Sequence, residues 1–311
     1  MNKPTKIYRT TNWSSYNQAL IKRGNISIWF DPKTQWYAQP QGKHGRNQTY
    51  SDTAIQCCLM IKSLFRLSLR MVTGFTQSLI KLCGLDWTAP DYTTLCRRQK
   101  TIDIAISYQK SRDGLHLLVD STGLKFLGEG EWKRKKHQPE YHRQWRKLHI
   151  GIDAETLQIR AVQLTTNNVS DSQVLGDLLD QIPPDERIDS VYTDGAYDTK
   201  CCRQVISDRQ AYAVIPPRKN AKPWKDSKIS SIERNELLQT VKHLHLGRTL
   251  WKKWSGYHRR SLVETKMHCI KLLGDKLTAR HFQSQVNEVH ARVAVLNRFT
   301  ELGRPHTQVV T

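Results

Sequence analysis

Three carboxylates in this 311-residue chain stand where they could act together. Asp120 closes the apolar run Leu115-His116-Leu117-Leu118-Val119 and is followed by Ser121-Thr122-Gly123. Asp194 stands in Tyr192-Thr193-Asp194-Gly195-Ala196-Tyr197, at the end of a second apolar run, and Glu264 lies in a late segment of helical pattern. Acids at the ends of buried strands face the crevice where ligands collect. Hard oxygen donors of this kind suit Mg²⁺, and two such ions about 4 Å apart can activate an attacking oxygen and stabilise a leaving one. A single Asp after a strand is as readily a turn cap; three acids in this order in a basic chain point to a site. Around Glu264, the residues Tyr257, Arg260 and Lys271 follow steps of three, four and seven, which on one α-helix share a face. Such a stripe can support a metal ligand while gripping a phosphate. On a solvated helix the same pattern is ordinary i,i+4 ion pairing.

The elements that must position these residues follow from periodicity. Leu115 to Val119 reads as a buried central strand ending at Asp120. Lys147–Asp153 and Ile159–Thr165 alternate as two further strands, Asp171–Leu179 is a helix stopped before Pro183-Pro184, and Ile188–Thr193 is a strand ending at Asp194. Thr199–Ser207 is helical, Ala211–Ile215 is a fifth strand, residues 218–250 read as a loop-rich crossover, and a long helical region follows. The order β-β-β-α-β-α-β-α is that of the RNase H-like fold, a mixed five-stranded sheet with flanking helices. In it the first and fourth strands are neighbours, so Asp120 and Asp194 converge.

Upstream, Asp52 or Thr53 is expected to cap a helix through Arg66, a second helix to span Met71–Leu82 before Gly84, and Asp91 to cap a third over Tyr92–Arg98. Three short helices closed by an Arg-rich one match a helix-turn-helix, with Arg97 and Arg98 on the helix that enters the major groove. Residues 1–50 are polar, with scattered aromatics, and read as an arm. The expected divisions are therefore an arm at 1–50, a helical DNA-binding region at 51–112, an α/β catalytic domain at 113–300 and a tail at 301–311.

Composition narrows the partner. Lys+Arg 49 against Asp+Glu 28 gives a net charge of +21, which calls for a polyanion and most simply nucleic acid. Hydrophobic content of 38% with nine Trp is too high for a disordered basic tail. No run approaches the ~20 apolar residues of a membrane span, and Met1-Asn2-Lys3-Pro4 begins no secretory leader, so a soluble intracellular protein is expected. Seven cysteines, none in a C-x-x-C pair, exclude a zinc ribbon or disulfide framework and read as small buried hydrophobes. The histidines His142, His149, His243 and His245 have no metal-ligand spacing with them and read as polar contacts.

Two basic stretches interleave cations with aromatics. One runs from Trp132-Lys133-Arg134-Lys135-Lys136-His137 to Trp145-Arg146-Lys147, and the other is Pro217-Arg218-Lys219-Asn220-Ala221-Lys222-Pro223-Trp224-Lys225. Both suit a DNA backbone with an unstacked base, for which Trp224 or Trp251 would serve; both equally suit solvated loops whose Trp residues pack inward.

Leu118-Val119-Asp120-Ser121-Thr122-Gly123, Thr193-Asp194-Gly195-Ala196-Tyr197-Asp198 and the Y-R-E-K spacing of Tyr257, Arg260, Glu264 and Lys271 together resemble bacterial insertion-sequence transposases of the DDE class, nearest to insertion-sequence family five. Pro90-Asp91-Tyr92-Thr93-Thr94-Leu95 and the Asn12-Trp13-x-x-Tyr16-Asn17 opening resemble that family's N-terminal region, so the likeness covers most of the chain. The interval from Asp194 to Glu264 leaves no room for the large β-rich insertion of some relatives.

The resemblance implies cleavage of an element's terminal inverted repeats and joining of the 3′ ends to target DNA, in a homodimer or larger assembly in the bacterial cytoplasm, associated with the nucleoid. It implies that Asp120, Asp194 and Glu264 hold two Mg²⁺ (or Mn²⁺), that water attacks first and the freed 3′-hydroxyl second, and that Tyr257, Arg260 and Lys271 contact phosphate near the transposon end. The competing readings are a helix-turn-helix regulator with an inactive α/β domain, and a nuclease that cuts without strand transfer.

Overall fold

The computed structural model describes residues 7–25, 29, 33–40, 42, 47–126, 145–243 and 247–310. The N-terminal part holds β1 (Ile7–Thr10), α1 (Trp13–Arg23), α2 (Asp52–Phe65), α3 (Leu69–Leu82) and α4 (Tyr92–Thr101). Next come β2 (Leu115–Phe126), β3 (Trp145–Asp153), β4 (Ile159–Thr166), α5 (Asp171–Asp180), β5 (Ile188–Tyr192), α6 (Lys200–Asp208) and β6 (Tyr212–Val214). The last part holds α7 (Ile229–His243), α8 (Gly247–Trp254), α9 (Ser261–Leu273), β7 (Lys276–Leu277), α10 (Phe282–Leu302) and β8 (Thr307–Val310). The chain divides into two compact units, Met1–Ser107 with Ala291–Thr311, and Tyr108–His290; the division falls within α10.

In the first unit, β1 pairs antiparallel with β8, so that the two ends of the described chain form one ribbon. The three expected helices form, the first capped one or two residues earlier than expected and the second beginning two residues earlier. Ser51, not Asp52 or Thr53, caps α2 by accepting from the Ala54 N–H, Ser68 caps α3 from Met71, and Asp91 caps α4 from Thr93. α2 ends at Arg66 in the left-handed conformation, and Arg66 to Ser68 form the short turn into α3. The core beneath is Ile55, Cys58, Leu59, Ile61, Val72, Ile80 and Leu95, joined by Trp36, which stacks on Trp87 at 4.8 Å. Part of the predicted arm is thus built structure: Trp36 is buried and residues 13–23 are helical. The arm's polar composition hid α1, which buries only Ala19 and therefore shows little apolar stripe.

The second unit is a mixed sheet in the order β4-β3-β2-β5-β6, with β2, β3 and β4 antiparallel and β2, β5 and β6 parallel. The element order and the β2–β5 neighbourhood are those expected. A sixth strand, β7, pairs with Lys125–Phe126 of β2; two residues carry no periodicity from which to foresee it. Strand alternation sends Leu115, Leu117 and Val119 to one face, where they pack with Val174, Leu175, Leu178 and Leu179 of α5 and with Cys202 and Ile206 of α6. The α5 helix starts at a capping box formed by Ser170 and Gln173. Asp120 is turned to the opposite face, and α9 packs against β2 through its buried side, Val263, Met267 and Ile270.

Three expectations are corrected. β2 is 12 residues long, so Asp120 lies mid-strand rather than at its end, because Ser121 to Lys125 keep pairing with β3. Residues 218–250 contain α7 and the first half of α8 instead of a loop-rich crossover; these two helices bury few apolar positions, chiefly Leu238 and Trp251. The Tyr257–Lys271 stripe is not one α-helix, since Tyr257–Arg260 is a 3₁₀ turn and α9 begins at Ser261. All seven cysteines are free; Cys57, Cys58 and Cys202 are buried as expected, whereas Cys83, Cys96 and Cys201 are exposed. No described helix is long and apolar enough to cross a membrane.

Candidate active site

The register of the sheet brings the first two acids level. Leu118 of β2 stands opposite Tyr192 of β5, and two residues further along each chain come Asp120 and Asp194. The Asp120 carboxylate accepts the Ser121 N–H at 2.8 Å. Asp194 caps the 3₁₀ turn Gly195–Tyr197, its Oδ1 accepting the Ala196 N–H at 2.9 Å. Glu264, in the first turn of α9, is reached through Arg260, whose guanidinium pairs with Asp120 and, at 2.5 Å, with Glu264. One side chain thus ties together two acids 144 positions apart in sequence, which no local pattern specifies.

Burial pushes the Asp120 carboxyl above its ordinary pKa; Asp194 pushes in the same direction, against the Ser121 N–H and Arg260. Partial burial works against the Arg260 charge, yet Asp120, Tyr257 and Glu264 outweigh it and raise its pKa. Burial also raises the Tyr257 phenol. Tyr257 packs beside Trp251, with ring centroids 5.8 Å apart, and carries Lys252 over its ring at 5.1 Å. Lys271 donates to the Thr122 hydroxyl at 2.7 Å, so the last member of the stripe faces the same stretch of β2 as Arg260, which pairs with Asp120.

The donor set fits a hard divalent cation. Carboxylate oxygens of Asp120 and Glu264 already share one cationic group, and the charge of Asp194 is felt at Asp120. Among the described residues no three His, Cys, Asp or Glu side chains form a closed metal cluster, and the Arg260 guanidinium pairs with both Asp120 and Glu264. Glu264 is 55% exposed, which leaves its carboxylate accessible from solvent.

Of the other expected contacts, Arg97 is exposed on α4. Arg98 is occupied within the fold, donating to the Tyr50 carbonyl at 3.0 Å and pairing with Asp52. Lys133, Arg134, Lys135 and Lys136 lie outside the described residues, as do His142 and His245. Trp224 is part-buried beneath Arg234 at 4.3 Å, and Trp251 is buried. Both are built into the fold, whereas Trp254, at the end of α8, is 69% exposed.

A polar network behind Asp194 escaped the sequence reading. Asp198, fully buried, accepts from Arg203 at 2.9 Å and from Arg234 at 3.1 Å. Its place in Thr193-Asp194-Gly195-Ala196-Tyr197-Asp198 was the one available signal, but its arginine partners come from α6 and α7. On the face of β3 opposite Asp120, His149 is buried, with Nε2 3.0 Å from the Thr165 hydroxyl and Nδ1 3.4 Å from Asp171, which also pairs with Lys147 at 2.9 Å.

A family model described as a transposase DDE domain matches residues 111–298, which include all three acids and the whole sheet. The chain belongs to the transposase DDE domain family. A second transposase DDE domain model matches residues 21–129, across the helical region and the whole of β2. Among solved structures, the Mos1 transposase paired-end complex with left transposon end is similar over 76% of this chain and 83% of that one, at 10% identity and a TM-score of 0.25. That degree of likeness carries no argument about fold or site.

Proposed function

We propose that the chain is a transposase of the insertion-sequence family five type, which binds the terminal inverted repeats of its element, cleaves the DNA ends and joins their 3′-hydroxyls to target DNA. The observation that carries this reading is that Asp120 on β2 and Asp194, two residues beyond β5, come level, while Arg260 links Asp120 to Glu264. These three side chains would hold two Mg²⁺, with Mn²⁺ able to substitute. When bound, the metals would supply activation of the attacking oxygen and stabilisation of the leaving one in each in-line displacement.

The chain's own residues do the rest. Arg260 faces two acids at the site, and its fork suits a phosphodiester oxygen pair. Tyr257 and Lys271 flank it, one on the 3₁₀ turn and one bonded to Thr122, and together they orient the transposon-end phosphates. The α2–turn–α3 segment with α4 supports a helix-turn-helix reading, in which exposed Arg97 contacts DNA and Arg98 braces the N-terminus of α2. The net charge of +21 supports double-stranded DNA as the partner, and work on two ends in one complex calls for a homodimer or larger assembly.

The test uses the full chain, a labelled duplex carrying the element's own end, and Mg²⁺, comparing wild type with Glu264→Ala. Binding by both proteins, with 3′ nicking and strand joining by wild type alone, is expected. Binding by both with no cleavage under Mg²⁺ or Mn²⁺ would favour the regulator, cutting without joining would favour a simple nuclease, and cleavage by Glu264→Ala would move the active site elsewhere.

A further inference from the structure

The basic stretch Pro217–Lys225 divides by what its side chains do. Arg218 is exposed and lies in a run of cations, where a phosphate contact would be the ordinary expectation. Its guanidinium is instead committed to the turn that carries Asp194: Nε donates to the Gly195 carbonyl at 3.2 Å and Nη2 to the Ala196 carbonyl at 3.0 Å. The Gly195 carbonyl and the Ala196 N–H are two ends of one planar peptide group. Arg218 therefore holds one end of the peptide whose other end donates to the Asp194 carboxylate at 2.9 Å. A cation on the carbonyl both fixes the plane of that group and strengthens its N–H as a donor.

The backbone of Arg218 is itself fixed. Its N–H donates to buried Asp198 at 3.4 Å. Just before it in the chain, Arg203 donates to the Ile215 carbonyl at 3.0 Å and Arg248 to the Pro217 carbonyl at 2.7 Å. Pro216 and Pro217 are buried and limit the freedom of the same segment. Arginines from α6 and α8 thus aim the base of this loop at the Asp194 turn.

We propose that Arg218 is a positioning residue for Asp194: through the Gly195–Ala196 peptide it sets the orientation of that carboxylate, and Asp198 anchors the loop from which it reaches. The inference rests on reading Asp194 as a metal ligand. Outer partners of a ligand govern affinity without touching the ion, and their removal costs metal affinity by about tenfold or more.

The test titrates Mn²⁺ into the full chain without DNA, reading free Mn²⁺ by electron paramagnetic resonance, for wild type, Asp194→Asn, Arg218→Met and Arg218→Lys. Asp194→Asn is expected to weaken binding. Both Arg218 variants are expected to weaken it about tenfold, since lysine keeps the charge but lacks the fork, while Tm stays within about 3 °C because the side chain is exposed. Wild-type affinity in both Arg218 variants, with Asp194→Asn weakened, would overturn the role of Arg218 and leave the metal-site reading standing. Wild-type affinity in Arg218→Lys alone would overturn the fork. A loss that only accompanies a large fall in Tm would overturn positioning in favour of general stability. Unchanged binding in Asp194→Asn, or no binding by wild type, would remove the site reading and this inference with it.

Discussion

His149 makes the stability of the second unit depend on pH in a way that can be worked through from its surroundings. The side chain is fully buried on β3, its Nε2 against the Thr165 hydroxyl. Burial lowers its pKa from the ordinary 6.5 to about 4; Lys147 pushes the same way, and Asp171, 3.4 Å from Nδ1, opposes both. The folded protein therefore keeps His149 neutral between pH 6.5 and 4, while the unfolded chain takes up a proton across that range. The unfolded state binds more protons there, so stability contributed by neutral His149 is complete above pH 6.5 and is lost as pH falls toward 4. At about 1.4 kcal/mol per pKa unit, the depression corresponds to about 3 kcal/mol. His149→Gln keeps a polar partner for Thr165 and removes the titration. In urea unfolding at pH 7.5 and pH 4.5, wild type should lose about 2–3 kcal/mol more than His149→Gln on acidification. Equal losses in the two proteins would refute the argument and mean that His149 is already charged, or solvated, in the folded state.

Further outcomes follow from particular contacts. Gly256 has φ +66° and leads directly into Tyr257–Arg260; Gly256→Ala should cost about 1 kcal/mol in thermal melts and slow end cleavage by displacing Arg260. The Arg160 side chain is fully buried, and its Nη2 donates to both carboxylate oxygens of Glu186, at 2.6 and 2.5 Å. Glu186→Gln leaves that charge undercompensated and should cost about 3 kcal/mol, and a change below about 1 kcal/mol in denaturant unfolding would contradict it. Leu117 is fully buried under α5 and α6, so Leu117→Ala should cost about 2–5 kcal/mol, read as a lower urea midpoint with unchanged m-value.

The amino-acid sequence by itself carried the elements whose signals are local. The apolar run Leu115–Val119, the Asp91 cap and the periodicity of Asp171–Leu179 each specify their element from neighbours within a few residues, and the structure bears them out. The order of strands then sufficed to set Asp120 on β2 beside the end of β5, two residues before Asp194. Long-range pairings were decided only in three dimensions. Arg260 on Asp120, Lys271 on Thr122, Arg218 on the Asp194 turn and β1 on β8 each join residues that no spacing relates. Polar elements such as α1 and α7 were missed because they bury too little apolar surface to show a stripe. Arg98 shows the difference most plainly. Its charge and its place on α4 were readable and fitted a DNA contact, but its commitment to Asp52 and the Tyr50 carbonyl arises from the packing of α4 against α2, and only the folded chain brings those partners within reach.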